Sequence, residues 1–167
     1  MINYNELFEK SKELANKSGL TQLELYQRFM FERILERISV SKYNSNFILK
    51  GGLLLSAMLG IESRSTRDMD ISIKGINVSK EKMLNVLNEI LSIDVNDKVK
   101  FKVVDISDIR EDDEYGGNKY HLVGKLENLK VVNWKSKFYL EKVNSSYRVN
   151  AIYKQKFNAK TLIFAYF

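Results

Sequence analysis

Apolar positions recur along this chain with two different periods, and the change from one to the other separates helices from strands. Between Thr21 and Ile38 the apolar residues Leu25, Tyr26, Phe29, Met30, Ile34, Leu35 and Ile38 repeat every three or four positions, which predicts a helix with one broad buried face. Thr21-Gln-Leu-Glu24 is a capping box at its start, with Leu20 and Leu25 placed for a hydrophobic staple. An earlier helix over Asn3–Lys17 ends at the Ser18-Gly19 C-cap signal. A later one, capped by Ser79, runs through Leu91 and turns Met83, Leu84, Leu87, Ile90 and Leu91 inward. Elsewhere the period is that of strands: Phe47–Leu49, Asp68–Ile73, Val99–Ile106, Tyr120–Leu126 and Lys130–Val143. The acidic stretch Asp105–Glu114 reads as a loop, with Asp112, Asp113 and Glu114 as solvated charges. The ending Thr161–Phe167 is apolar and is expected either to tuck into the sheet or to be covered by another chain.

The segment Lys50–Ile73, KGGLLLSAMLGIESRSTRDMDISI, carries the candidate chemistry. Gly51 and Gly52 follow the apolar run Phe47–Leu49, so a strand ends there and a helix begins near Leu53. Glycines let the backbone approach a phosphate, and the first free N–H groups of the helix point at the anion. Lys50 adds a point charge at the same place. In Asp68-Met-Asp70-Ile-Ser72-Ile, Met69, Ile71 and Ile73 face one side and Asp68, Asp70 and Ser72 the other. Two carboxylates one pleat apart repel unless a cation lies between them, and hard divalent ions shared with phosphates take oxygen ligands. A lone D-x-D is usually solvent-facing and a lone Gly-Gly usually a turn; one phosphate and metal site explains both together.

Composition bounds the class. A chain of 167 residues with 44% hydrophobic and 29% charged residues is one domain able to own a core. It has no cysteine, which excludes disulfides, thiolate metal sites and a cysteine nucleophile and fits a reducing compartment. The single histidine, His121, reads as a structural strand residue. No apolar run reaches membrane-span length and Met1–Asn5 lacks a signal pattern, so a cytoplasmic location is expected, with no membrane partner. Residues 1–117 hold 17 Lys/Arg against 19 Asp/Glu, whereas residues 118–167 hold 10 against 2. Tyr120, Trp134, Phe138, Tyr139, Tyr147, Tyr153 and Phe157 interleave with those cations, a pattern that suits RNA or single-stranded nucleic acid and equally suits buried strands with wet lysine faces.

Lys50-Gly51-Gly52 followed by Arg64-x-Thr66-x-Asp68-x-Asp70 resembles the nucleotidyltransferase toxins of abortive-infection and type IV toxin–antitoxin systems, the AbiEii/AbiGii group of the polymerase-beta-like superfamily. The likeness continues, more weakly, through Ile109-Arg-Glu-Asp-Asp-x-Tyr115-Gly-Gly117. With the strand and helix periods, it implies an α+β fold, a mixed β-sheet flanked by α-helices, in one nucleotidyltransferase-like domain over residues 1–167, without the helical half into which family members continue. It implies a nucleoside triphosphate substrate and Mg²⁺, or Mn²⁺, held by Asp68 and Asp70. Gly51, Gly52, Lys50, Arg64 and Thr66 would bind the nucleotide. An RNA acceptor such as a tRNA end, or a protein hydroxyl, an antitoxin and a homo-oligomeric partner are implied in the same way.

The family carries a third carboxylate on a later strand, and no aspartate occurs here from residue 114 onward; Glu141 is the only acid in Lys130–Val143. Asp105 shares a strand face with Phe101 and Val103, so it cannot stand in unless a bulge intervenes. Two functions therefore remain open: a Mg-dependent nucleotidyltransferase toxin, and a catalytically silent nucleotide- or RNA-binding module that keeps the fold.

Overall fold

The capping box at Thr21 forms as expected and starts the longest of the described helices: the Thr21 N–H donates to Glu24 Oε2 at 2.7 Å and the Glu24 N–H to Thr21 Oγ1 at 3.3 Å. Such a cap contributes on the order of 1 kcal/mol. In the computed structural model, which describes residues 4–54, 68–76, 79–108, 117–126 and 134–142, the helices are α1 (Tyr4–Ser18), α2 (Gln22–Val40) and α3 (Lys80–Leu91), with a further helical stretch begun at residues 51–54. Gly19 closes α1 in the left-handed conformation (φ 71°), its N–H donating to Ala15 O at 3.2 Å. Ser79 caps α3 by accepting the Lys82 N–H at 3.3 Å.

The strands are β1 (Phe47–Lys50), β2 (Met69–Ile73), β3 (Val99–Asp108), β4 (Gly117–Leu126) and β5 (Trp134–Lys142), joined in one sheet of order β1-β2-β5-β4-β3. β2 runs parallel to β5 and every other pair is antiparallel, so the sheet is mixed. The last of the described strands in sequence thus lies at the centre, between the aspartate strand and the β3–β4 hairpin. The α+β reading holds, with one boundary corrected. Residues 105–108 continue β3, because Asp105, Ile106, Ser107 and Asp108 keep their pairing with His121, Tyr120, Lys119 and Asn118. The expected contribution of residues 109–116 and of Thr161–Phe167 lies outside the described residues.

One hydrophobic cluster joins Phe29, Met30, Ile34 and Ile38 of α2 and Met83, Leu87 and Ile90 of α3 to Phe47, Leu49, Met69, Ile71, Ile73, Val99, Tyr120, Leu122 and Leu126 of the sheet. The sheet face carrying those residues is the core face. α2 is buried more widely than its apolar stripe foretold, since Phe31, Arg33 and Arg37 are buried as well. Arg37 is 2% exposed and forks onto Asp97, Nη1 to Oδ2 at 2.6 Å and Nη2 to Oδ1 at 2.8 Å. Nη1 also donates to Arg33 O at 2.9 Å and Nη2 to Val99 O at 2.8 Å, and the guanidinium lies over the Phe101 ring. Asp97 also accepts the Val99 N–H at 2.9 Å, so one buried ion pair pins α2 to the start of β3. Asn96 and Lys98 on either side take left-handed conformations (φ 57° and 59°), a strained turn that presents the Asp97 carboxylate inward.

Glu32, also on α2, is the opposite case. Its Oε2 is buried with no hydrogen-bond partner, and that desolvation pushes the carboxyl up to about 8 despite the opposing charges of Arg33 and Arg28.

Candidate nucleotide and metal site

β1 and β2 pair so that Lys50 lies opposite Asp70, Leu49 opposite Ile71 and Ile48 opposite Ser72. Met69, Ile71 and Ile73 are essentially fully buried in the core, which places Asp70 and Ser72 on the other face of the sheet together with Lys50. Asp68 lies at the bend immediately before β2, half-buried, one pleat from Asp70. The alternation read from the sequence is thus the alternation of the strand.

Gly51, the residue after β1, has φ +66°. A Cβ built there would lie 2.1 Å from Asp70 Oδ2, 3.1 Å from its Cγ and 3.3 Å from its Cβ. No side chain fits there while the Asp70 carboxylate keeps its place. The glycine is therefore required twice, by its left-handed backbone and by the carboxylate that occupies the space a side chain would fill. From Gly51 the chain enters helical conformation through residue 54. The start of this helical stretch and the Asp70 carboxylate therefore lie side by side, and the unpaired N–H groups of a first helical turn favour anions nearby. Ser72, next on the same face, is 1% exposed and its Oγ has no hydrogen-bond partner among the described residues. Asp68, Asp70 and Ser72 form an all-oxygen donor series, the chemistry a hard divalent cation takes. Lys50 and Gly51 lie beside Asp70, with Gly52 and Asp68 close to them in the chain, and Arg64 and Thr66 lie outside the described residues.

A family model of the "Nucleotidyl transferase AbiEii toxin, Type IV TA system" matches residues 33–143, a span that holds the whole constellation. The chain belongs to the AbiEii family. No curated protein matches it. Among solved structures it is similar to JHP933 from Helicobacter pylori, at 16% identity and a TM-score of 0.43, over 78% of this chain and 48% of that one. The chain spans about half the length of that structure.

For an AbiEii member the notable point is where further carboxylates lie. Asp105 does not share a face with Phe101 and Val103: the register shifts between Val103 and Asp105, a bulge at Val104 that turns Asp105 to the face of Asp70. The sequence allowed for this outcome without being able to signal it. The bulge still leaves Asp105 on β3, three strands from β2, which at about 4.8 Å per strand is roughly 14 Å away. It cannot share a cation with Asp70. Glu141 lies on β5 at the position opposite Ser72, with Tyr139 opposite Asp70. Among the described residues no three His, Asp or Glu side chains converge as a metal cluster. His121 is half-buried, its Nε2 3.1 Å from Ser107 Oγ and 3.9 Å from Asp105 Oδ2, which supports a structural role on the hairpin.

Proposed function

We propose that this chain binds a nucleoside triphosphate with Mg²⁺ or Mn²⁺ at the β1–β2 edge of the sheet, as the nucleotide-handling part of a toxin that transfers a nucleotidyl group to a hydroxyl of RNA or protein. The observation that carries this reading is the contact between Gly51 and Asp70, which couples a helix start to a carboxylate on the next strand. Asp68 and Asp70 hold the cation, Gly51 and Gly52 leave the first helical N–H groups open to triphosphate oxygens, and Lys50, with Arg64 and Thr66, orients the nucleotide. The cation, when bound, polarises the α-phosphate and neutralises the charge that develops there. The family implies an antitoxin partner; a second copy of the chain as the alternative partner and a cytoplasmic setting belong to the same proposal, and among the described residues no helix is long and apolar enough to cross a membrane.

A second reading, a nucleotide- or RNA-binding module without turnover, is favoured by one observation: beside Asp70 on β5 lies Tyr139 rather than an acid. Without a base at that place the attacking hydroxyl is not activated, a loss of about 10²–10⁴ in rate. Incubating a total RNA and protein extract with each of the four α-labelled nucleotides, with and without Mg²⁺, separates the two. Metal-dependent label on RNA or protein supports transfer. Nucleotide binding without label supports the silent module, and absence of both contradicts the assignment of the site.

A further inference from the structure

The two faces of the β3–β4 hairpin differ in chemistry. Val99, Phe101 and Val103 of β3 face the core opposite Leu126, Gly124 and Leu122 of β4. On the other face Lys100 pairs with Lys125 and Lys102 with Val123, and all three lysines are exposed. None of the three has an ion-pair partner among the described residues. Like charges directly opposite one another on a sheet destabilise it, so Lys100 facing Lys125 costs stability unless an anion lies between them. Beyond the bulge at Val104 the same face continues with Asp105 paired to His121 and Ser107 paired to Lys119. Asp105 is the one carboxylate on this face of the hairpin among the described residues.

This face leads to the candidate site. Ser107 pairs with Lys119, Lys119 with Tyr139, Tyr139 with Asp70 and Asp70 with Lys50, a single row across all five strands. Lys125 lies six residues from Lys119 along β4, about 20 Å at 3.4 Å per residue. A stacked nucleic-acid strand places one phosphate per about 3.4 Å, so roughly six nucleotides bridge that distance.

We infer that the lysine face of the β3–β4 hairpin binds a single-stranded RNA segment whose end lies along the row leading to Asp70. The charge pattern carries the binding; only the direction towards Asp70 rests on the nucleotide-site reading. Three exposed lysines on a face with one carboxylate match a phosphate backbone, and a chain that must reach a nucleotide at Asp70 crosses this face from the Lys100–Lys125 pair.

The test is fluorescence anisotropy of an end-labelled twelve-nucleotide single-stranded RNA with the full chain, without nucleotide or metal, over a salt series. Lys100→Gln, Lys102→Gln and Lys125→Gln combined weaken binding at least about tenfold and lower the slope of log affinity against log salt by about 2, at roughly 0.7 per lost phosphate contact. The control Lys12→Gln, Lys17→Gln and Lys82→Gln, with the same charge change on exposed positions of α1 and α3, leaves affinity within about twofold. Melting curves confirm that both variants fold. Equal losses in the two variants, no RNA binding by the parent, or a poly-glutamate that binds as tightly as RNA and loses the same affinity with the face variant would overturn the inference; the last would assign the face to an acidic protein. Asp70→Ala keeps its RNA affinity in this assay, and the lysine variant keeps its affinity for Mg²⁺ with nucleoside triphosphate. Failure of the RNA surface and failure of the nucleotide site are therefore read separately.

Discussion

The Asp70 carboxylate occupies the space that a side chain at Gly51 would need, with Oδ2 2.1 Å from the position of a Cβ. That relationship makes the glycine part of the proposed metal site as well as part of a turn, because any larger residue displaces the carboxylate. It also supplies an internal control. Gly19 has nearly the same backbone angle, φ 71°, yet nothing lies within 4 Å of its Cβ position.

Gly19→Ala and Gly51→Ala are expected to separate backbone strain from site disruption. A left-handed alanine costs about 1–2 kcal/mol, and 1 kcal/mol lowers the melting midpoint of a chain of this size by roughly 2–4 °C. Gly19→Ala shows that loss alone and leaves nucleotide binding as in the parent. Gly51→Ala loses more stability and also loses metal-dependent nucleotide binding. Equal melting points with nucleotide binding intact in both would show that the carboxylate yields without consequence.

Asp97→Ala leaves the Arg37 guanidinium buried and uncompensated and strips the Val99 N–H of its acceptor. Breaking one partner of a buried pair costs about 3–5 kcal/mol, so the melting midpoint is expected to fall by roughly 6–20 °C. Arg37→Lys loses the two-point fork and the contact with Val99 O, and is expected to fall between the parent and Asp97→Ala. A melting midpoint within about 2 °C of the parent for Asp97→Ala, in differential scanning calorimetry, would show that the pair contributes little.

Glu32 makes stability depend on pH in a defined direction. Its folded value of about 8 lies above the ordinary 4.5, so below pH 4.5 the carboxyl is neutral in both states and costs nothing. Between pH 4.5 and 8 the unfolded chain ionises while the folded one retains the proton, and stability falls as pH rises. Glu32→Gln is therefore expected to melt like the parent at pH 4 and higher than the parent at pH 8. Parallel melting curves across that range would show that Glu32 ionises freely in the folded protein.

The elements that the sequence announced were those with local signals. The Thr21–Glu24 cap, the Ser79 cap and the Gly19 terminus each depend on residues a few positions apart, and all three formed. The pleat of Asp70 and Ser72 was legible for the same reason, since Met69, Ile71 and Ile73 fix the parity of the strand. What was not legible depends on partners distant in sequence. Arg37 is sixty residues from Asp97, and its place in α2 looks like that of any surface cation until the fold closes over it. The bulge at Val104 changes the face of Asp105 without a glycine or proline to mark it. The contact between Gly51 and Asp70 exists only because β1 pairs with β2 in one register, with Lys50 opposite Asp70. Glu32 carries no sequence signal either: a glutamate between two arginines reads as a solvated face.

We propose that Asp70, seated against Gly51, holds the cation that carries a nucleotide. Isothermal titration of the full chain with each nucleoside triphosphate, in Mg²⁺ and in EDTA, against Asp70→Ala under the same conditions tests it most directly. At least one triphosphate is expected to bind the parent in Mg²⁺ but not in EDTA, and Asp70→Ala to weaken this binding at least about tenfold, a loss of about 1.4 kcal/mol. Binding that is equally tight in EDTA, or equally tight in Asp70→Ala, would contradict it.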